Sequence, residues 1–179
     1  MSCEVFCLYS IGVLPFNSMK STLLHFLESM KISISSNINI PADEAWTLVK
    51  RSSTLLYVTR GLMGFKSLSA NLPFEWQQGN TEKLRIMLFG IIPVWIHQIN
   101  FKAISDSRMT MLTHESGGVV KTWNHNISIK SVDNNSCYYT DDVEIRAGVF
   151  TLLIWLYAHV FYRYRQLRWR FLVKQSTKK

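Results

Sequence analysis

His97, Glu115, His125 and Asp141 are the residues of this 179-residue sequence whose types and spacing could do chemistry together. An imidazole held by a carboxylate has its tautomer fixed and works as a donor or weak base, and the alternation around these residues allows two such pairs. In the segment 94–104, Trp95, His97, Ile99, Phe101 and Ala103 alternate with Gln98, Asn100 and Lys102. In 121–132, Trp123, His125, Ile127 and Ile129 alternate with polar residues, and in 137–147 so do Cys137, Tyr139, Asp141, Val143 and Ile145. A period of two marks half-buried strands, so both histidines and Asp141 face inward while Asp142 is solvated.

Residues equidistant from a hairpin centre face each other. Centres at Asp106, Gly118 and Asp133 set His97 against Glu115, Met111 beside His125, Lys121 beside Glu115, and His125 against Asp141. The expected inward rows are His97, Glu115 and Lys121; Ile99, Thr113, Trp123 and Val143; Phe101, Met111, His125 and Asp141; and Ala103, Met109, Ile127 and Tyr139. An apolar, aromatic and Met-rich concavity with sparse polar groups suits a small-molecule pocket. The expected ligand contacts are Trp95, His97, Ile99, Phe101, Met111, Trp123, His125, Tyr139 and Asp141, with the histidines and Asp141 orienting a polar head. The same residues also read as a filled core with two satisfied pairs. No nucleophile accompanies the histidines, so no catalytic residue is assigned; in an enzyme, His125 supported by Asp141 would be the acid–base pair.

The elements that must position these residues follow from the punctuation of the chain. Ile32, Ile34, Ile38 and Ile40 alternate with serines and asparagines, a first strand broken by Pro41. Asp43 and Glu44 suit the first turn of a helix, and a second short helix spans about Ser53 to Arg60, ending at Gly61. Six strands follow, near Phe65 to Ala70, Leu84 to Phe89, Val94 to Ile104, Arg108 to Glu115, Lys121 to Val132 and Cys137 to Ala147. Short turn-forming separators join them into an antiparallel meander. Val149 to Val173 lacks Gly and Pro and reads as one long helix. The fold class is α+β: a curved seven-stranded antiparallel sheet around a long C-terminal helix, with two short helices after the first strand.

Charge and cysteine set the context. Hydrophobic residues at 47% and charged residues at 18% exclude a disordered chain. The net charge of +8 falls entirely on residues 146–179, which hold Arg146, Arg163, Arg165, Arg168, Arg170, Lys174, Lys178 and Lys179 without an acid. The three cysteines, Cys3, Cys7 and Cys137, form neither a disulfide framework nor a zinc spacing, so the expectation is a cytoplasmic protein without metal or cofactor. Residues 1–30 are expected to be an extension, or an upstream misassignment of the start. In them, Val5 to Phe16 is apolar without preceding bases, and Ser21 to Met30 is amphipathic, with Leu23, Leu24 and Leu27 on one side. Residues 31–174 form the domain and 175–179 a basic tail. Residues 148–162 carry no charge but are too few to span a bilayer, which takes roughly 20. Peripheral contact with anionic lipid is expected through Arg163, Arg165, Arg168, Trp169 and Arg170, with Trp155, Tyr157 and Tyr162 as anchors. Nucleic acid is not an expected partner, and a homodimer is left open.

This element order, with Asn39-Ile40-Pro41-Ala42-Asp43-Glu44-Ala45-Trp46, Gly90-Ile91-Ile92-Pro93, Lys121-Thr122-Trp123-Asn124-His125, Tyr139-Thr140-Asp141-Asp142 and Phe161-Tyr162-Arg163-Tyr164-Arg165-Gln166-Leu167-Arg168-Trp169-Arg170, resembles the START-like superfamily, also called birch-pollen-allergen-like or polyketide cyclase and dehydrase (SRPBCC). The likeness covers about residues 31 to 174 and looks most like small bacterial stand-alone members. It implies a helix-grip fold with a hydrophobic cavity between sheet and terminal helix. It also implies binding or transfer of a lipid, quinone or polyketide-like molecule, or alternatively cyclase or dehydratase chemistry.

Overall fold

The computed structural model describes residues 29–69 and 71–176. The expectations placed on residues 1–28, including the amphipathic run up to Leu27, and on the last three residues of the basic tail lie outside them. The order is β1 (Met30–Ile38), α1 (Ala42–Lys50), α2 (Ser52–Thr59), β2 (Met63–Ser67), β3 (Thr81–Leu88), β4 (Ile92–Ser105), β5 (Thr110–Gly117), β6 (Val120–Asp133), β7 (Ser136–Arg146) and, after a 3₁₀ turn at Gly148–Phe150, α3 (Thr151–Ser176). The seven strands form one antiparallel sheet in the order β1-β7-β6-β5-β4-β3-β2, as the alternation and short separators require. The long helix begins at Thr151, two residues later than expected. The Thr151 hydroxyl accepts from the Ala147 N–H at 2.9 Å and donates to the Gly148 carbonyl at 2.7 Å, closing the turn before the helix.

Each hairpin from β3 to β7 carries a register shift, and these bulges bend the sheet around α3. They also correct the expected rows. Asp133 pairs with Ser136 at the turn between β6 and β7, and with the bulge between Ser131 and Asp133 this sets His125 opposite Val143 and Asp141 opposite Ile127. Likewise Glu115 faces Ile99, His125 faces Thr113, and Met111 faces Ile127. Pairing has slid by two residues, which exchanges neighbours but keeps every side chain on its face. Lys121 is the exception: Val120 takes the inward place and Lys121 is exposed. Beyond the β4 bulge the inward role passes from Ala103 to Ile104, which packs on the core with Met109.

The interior divides into a filled half and an open half. In the filled half α1 closes the end of the sheet, where Trp46 Nε1 and Lys50 Nζ both donate to Asp106 Oδ1, at 2.7 and 2.9 Å. Trp76 stacks on Phe101 with centroids 4.8 Å apart, and Tyr139 packs on Trp169. At the other end, Gly117 and Gly118 let β5 and its turn run against β4. A Cβ on Gly118, whose φ is +56°, would lie 2.6 Å from the Trp95 ring, and one on Gly117 would collide with the Ile96 carbonyl. α3 turns the stripe Thr151, Ala158, Phe161, Tyr162, Arg165, Gln166, Trp169 and Val173 to the sheet, a helical spacing of three and four.

Candidate functional site

A cavity of about 450 Å³ opens between the sheet, α2 and the first half of α3. Its wall is overwhelmingly hydrocarbon, from Phe65, Ile86, Ile99, Val120, Ile154 and Phe161 among others, and its polar side chains include His97, Glu115, His125 and Arg165. Strand alternation brings the first three to one patch: His97 from β4, Glu115 from β5 and His125 from β6, each pointing inward. Trp123 Nε1 donates to the Tyr162 hydroxyl at 3.0 Å, tying the sheet to α3 beside this patch.

Glu115 sits between the two imidazoles. His97 Nε2 donates to its Oε2 at 3.0 Å, Thr113 Oγ1 donates to its Oε1 at 2.6 Å, and His125 Nδ1 lies 3.8 Å from Oε1. On its other side His125 donates from Nε2 to Asp141 Oδ1 at 2.8 Å. Asp141 is fully enclosed and also accepts from the Tyr139 hydroxyl and from Gln166 Nε2, each at 2.8 Å, while Arg165 Nη2 stands 3.7 Å away and donates to the Tyr139 oxygen at 2.8 Å. The result is a chain of polar groups running from the cavity wall to the helix–sheet interface.

Burial acts to raise the carboxyl pKa of Glu115, but hydrogen bonds from His125 and His97 outweigh it and hold the group well below the usual carboxylate range. Burial likewise opposes ionisation of Asp141, and the Arg165 guanidinium and His125 overcome it, so Asp141 is lowered too. For His125 burial pushes down, and the bonds to Asp141 and Glu115 push further up, leaving it raised. Burial drives the Tyr139 and Tyr162 hydroxyls well above their ordinary range. Both ring nitrogens of His125 therefore face carboxylates, as an imidazolium requires. Glu115 and Asp141, both lowered, thus stand with Arg165 and with His125, which is raised.

The two pairs named from the sequence do meet, as diagonal neighbours rather than direct opposites. Trp95, His97, Ile99, Trp123 and His125 line the cavity; Phe101, Met111 and Tyr139 lie in the filled half, and Asp141 stands behind His125. Of the residues expected to meet lipid or anions, Arg163 and Arg170 are exposed. Arg165 is buried at Asp141, Trp169 is 1% exposed, and Arg168 lies over the Tyr57 ring, 4.3 Å from its centroid, bonding the Tyr57 carbonyl. Of the expected anchors, Tyr162 is buried, and Trp155 and Tyr157 are half-buried. Glu115, expected inward beside His97 but not as a ligand contact, lines the cavity, as do the α3 residues Phe161 and Arg165, which the expected ligand contacts did not include. The spacing from Ala158 through Phe161 and Arg165 to Trp169 was the signal for the helix. Among the described residues no cluster of His, Cys, Asp or Glu could hold a metal ion.

No protein-family model and no curated protein matches the chain. Solved structures do. A START superfamily protein from Mycobacterium smegmatis superposes with a TM-score of 0.63 at 11% identity, covering 81% of this chain and 97% of that one. Zhui aromatase/cyclase from Streptomyces sp. R1128 gives 0.63 at 10% identity over 84% and 96%. Norcoclaurine synthase from Thalictrum flavum, in complex with dopamine and hydroxybenzaldehyde, gives 0.62 at 12% identity over 97% and 98%. Superposition over most of both chains at these TM-scores shows that the protein has the START-like fold.

Proposed function

We propose that the protein binds or transfers a hydrophobic small molecule of lipid, quinone or polyketide-like character, held between the sheet and α3. The observation that carries this reading is the cavity of about 450 Å³, a volume typical of ligand sites, with a hydrocarbon wall and one polar patch. Desolvation of the ligand's apolar body supplies affinity there. The patch at His97, Glu115 and His125 orients the polar end, with Glu115 accepting from the ligand. The structural neighbours include an aromatase/cyclase and a synthase in complex with dopamine and hydroxybenzaldehyde, which supports a small-molecule site. A cytoplasmic location, read from the cysteines, belongs to the same proposal.

Native mass spectrometry of freshly purified protein, followed by organic extraction, tests it. A stoichiometric apolar adduct is the expected result. Failure of the protein to take up any member of a panel of lipids, quinones and aromatic polyketones would overturn it. The second reading, cyclase or dehydratase chemistry at His125 supported by Asp141, is favoured by the 2.8 Å contact between them. Its weakness is that both nitrogens of His125 are already directed at carboxylates. Under that reading His125→Gln and Asp141→Asn abolish turnover of a bound polyketone while sparing affinity; equal loss of affinity assigns them to holding the ligand.

A further inference from the structure

Hairpin tips and helix ends gather at two poles of the molecule, and the poles differ in chemistry. At the pole closed by α1 stand the exposed acids Asp43, Glu44, Asp106 and Asp133, interspersed with Lys50, which bonds Asp106, and the exposed Arg108 and Lys130, so that both signs are present. At the cavity mouth Lys31 and Lys121 are the second residues of β1 and β6 and Arg146 ends β7, all three exposed and on neighbouring strands. The acid nearest to them in register, Glu144, accepts from Asn124 Nδ2 at 3.1 Å.

The same pole bears uncovered hydrocarbon. Ile91 is 76% exposed, Val149 77% and Leu153 65%. The patch is continuous with the cavity, because Val119, Phe150 and Leu153 belong to both surface and wall. Contiguous apolar surface rimmed by charge marks an interaction site. A partner that fits must offer hydrocarbon behind a negatively charged layer. A second copy meeting mouth to mouth would set bases against bases.

We propose that the mouth pole docks on an anionic lipid bilayer, with Ile91, Val149 and Leu153 entering the boundary between headgroups and acyl chains and Lys31, Lys121 and Arg146 facing the headgroups. Two arginines of α3 are not available for this: Arg165 is spent on Asp141 and Tyr139, and Arg168 on Tyr57. Docking is independent of which molecule the cavity takes.

Co-sedimentation of the full chain with vesicles of phosphatidylcholine alone, and of phosphatidylcholine mixed with phosphatidylglycerol, tests the inference. Binding to the mixed vesicles is expected, weakened by salt. Ile91→Glu, Leu153→Glu and the pair Lys121→Glu with Arg146→Glu should each lower it about tenfold, whereas Val132→Glu, on an apolar residue exposed near the opposite pole, should not. Circular dichroism confirms that each variant folds. Absence of binding to mixed vesicles, or binding indifferent to the mouth substitutions, overturns the proposal. So does a dimer, seen by light scattering, that Leu153→Glu dissociates, since the face then belongs to a second copy.

Discussion

Asp141 is enclosed entirely, and its charge is answered by His125, Tyr139, Gln166 and Arg165. Replacing it with Asn leaves Arg165 without its carboxylate in a low-dielectric interior and His125 with Glu115 as its remaining carboxylate partner. Breaking a buried pair in this way costs about 3–5 kcal/mol, a loss to be read from urea unfolding. The shifts also fix a pH profile. His125 is raised above 6.5, so its contribution is complete below that value and is lost as pH rises through its folded pKa. Glu115 and Asp141 are lowered below 4.5 and 3.8, so theirs is complete above those values and is lost as pH falls. Thermal stability should therefore peak between about pH 4.5 and 6.5, and His125→Gln should flatten the alkaline limb. A limb that survives the substitution assigns it to another group. Cys137, fully buried with its thiol pushed up to about 11 by desolvation, should resist alkylation in the native protein and react on unfolding, as peptide mapping would show.

At the scale of the element, the sheet depends on close approaches as much as on alternation. Gly118→Ala places a methyl against Trp95 at a left-handed backbone position. It should destabilise by about 1–3 kcal/mol and shift Trp95 from the cavity wall, a change visible in tryptophan fluorescence. Alternation made the faces legible in the sequence, since β4, β6 and β7 each repeat with period two. Partners were less legible, because hairpin centres cannot be read to the residue when bulges and two-residue tips are both available. Asp133 has the residue type of a turn centre, yet it pairs with Ser136. On α3 an argument from charge drew Arg165 and Trp169 to the surface, where the spacing from Ala158 would have kept them inside.

For the whole molecule, the order of elements was enough to fix the architecture, whereas the division into filled and open halves was not. That division depends on where α1 closes the sheet and on which side chains Trp46, Trp76 and Trp169 meet, which are distances across the fold. Val120→Trp tests the open half. Val120 is 3% exposed and lines the cavity, so the larger ring should enter void and leave thermal stability nearly unchanged. An apolar fluorescent probe should then bind at least about tenfold more weakly, since little volume remains for it. Overpacking of a solid core would instead cost about 1–3 kcal/mol or more, and finding that would mean the volume is not there to be filled.

The period-two alternation of inward side chains along β4, β5, β6 and β7 bears on how such a molecule changes over generations. Lengthening or shortening a hairpin tip by an even count would bring different inward side chains alongside one another and turn none of them out to water. The hairpin tips therefore work like a vernier, able to deal a different carboxylate to each imidazole while the hydrocarbon wall stays intact.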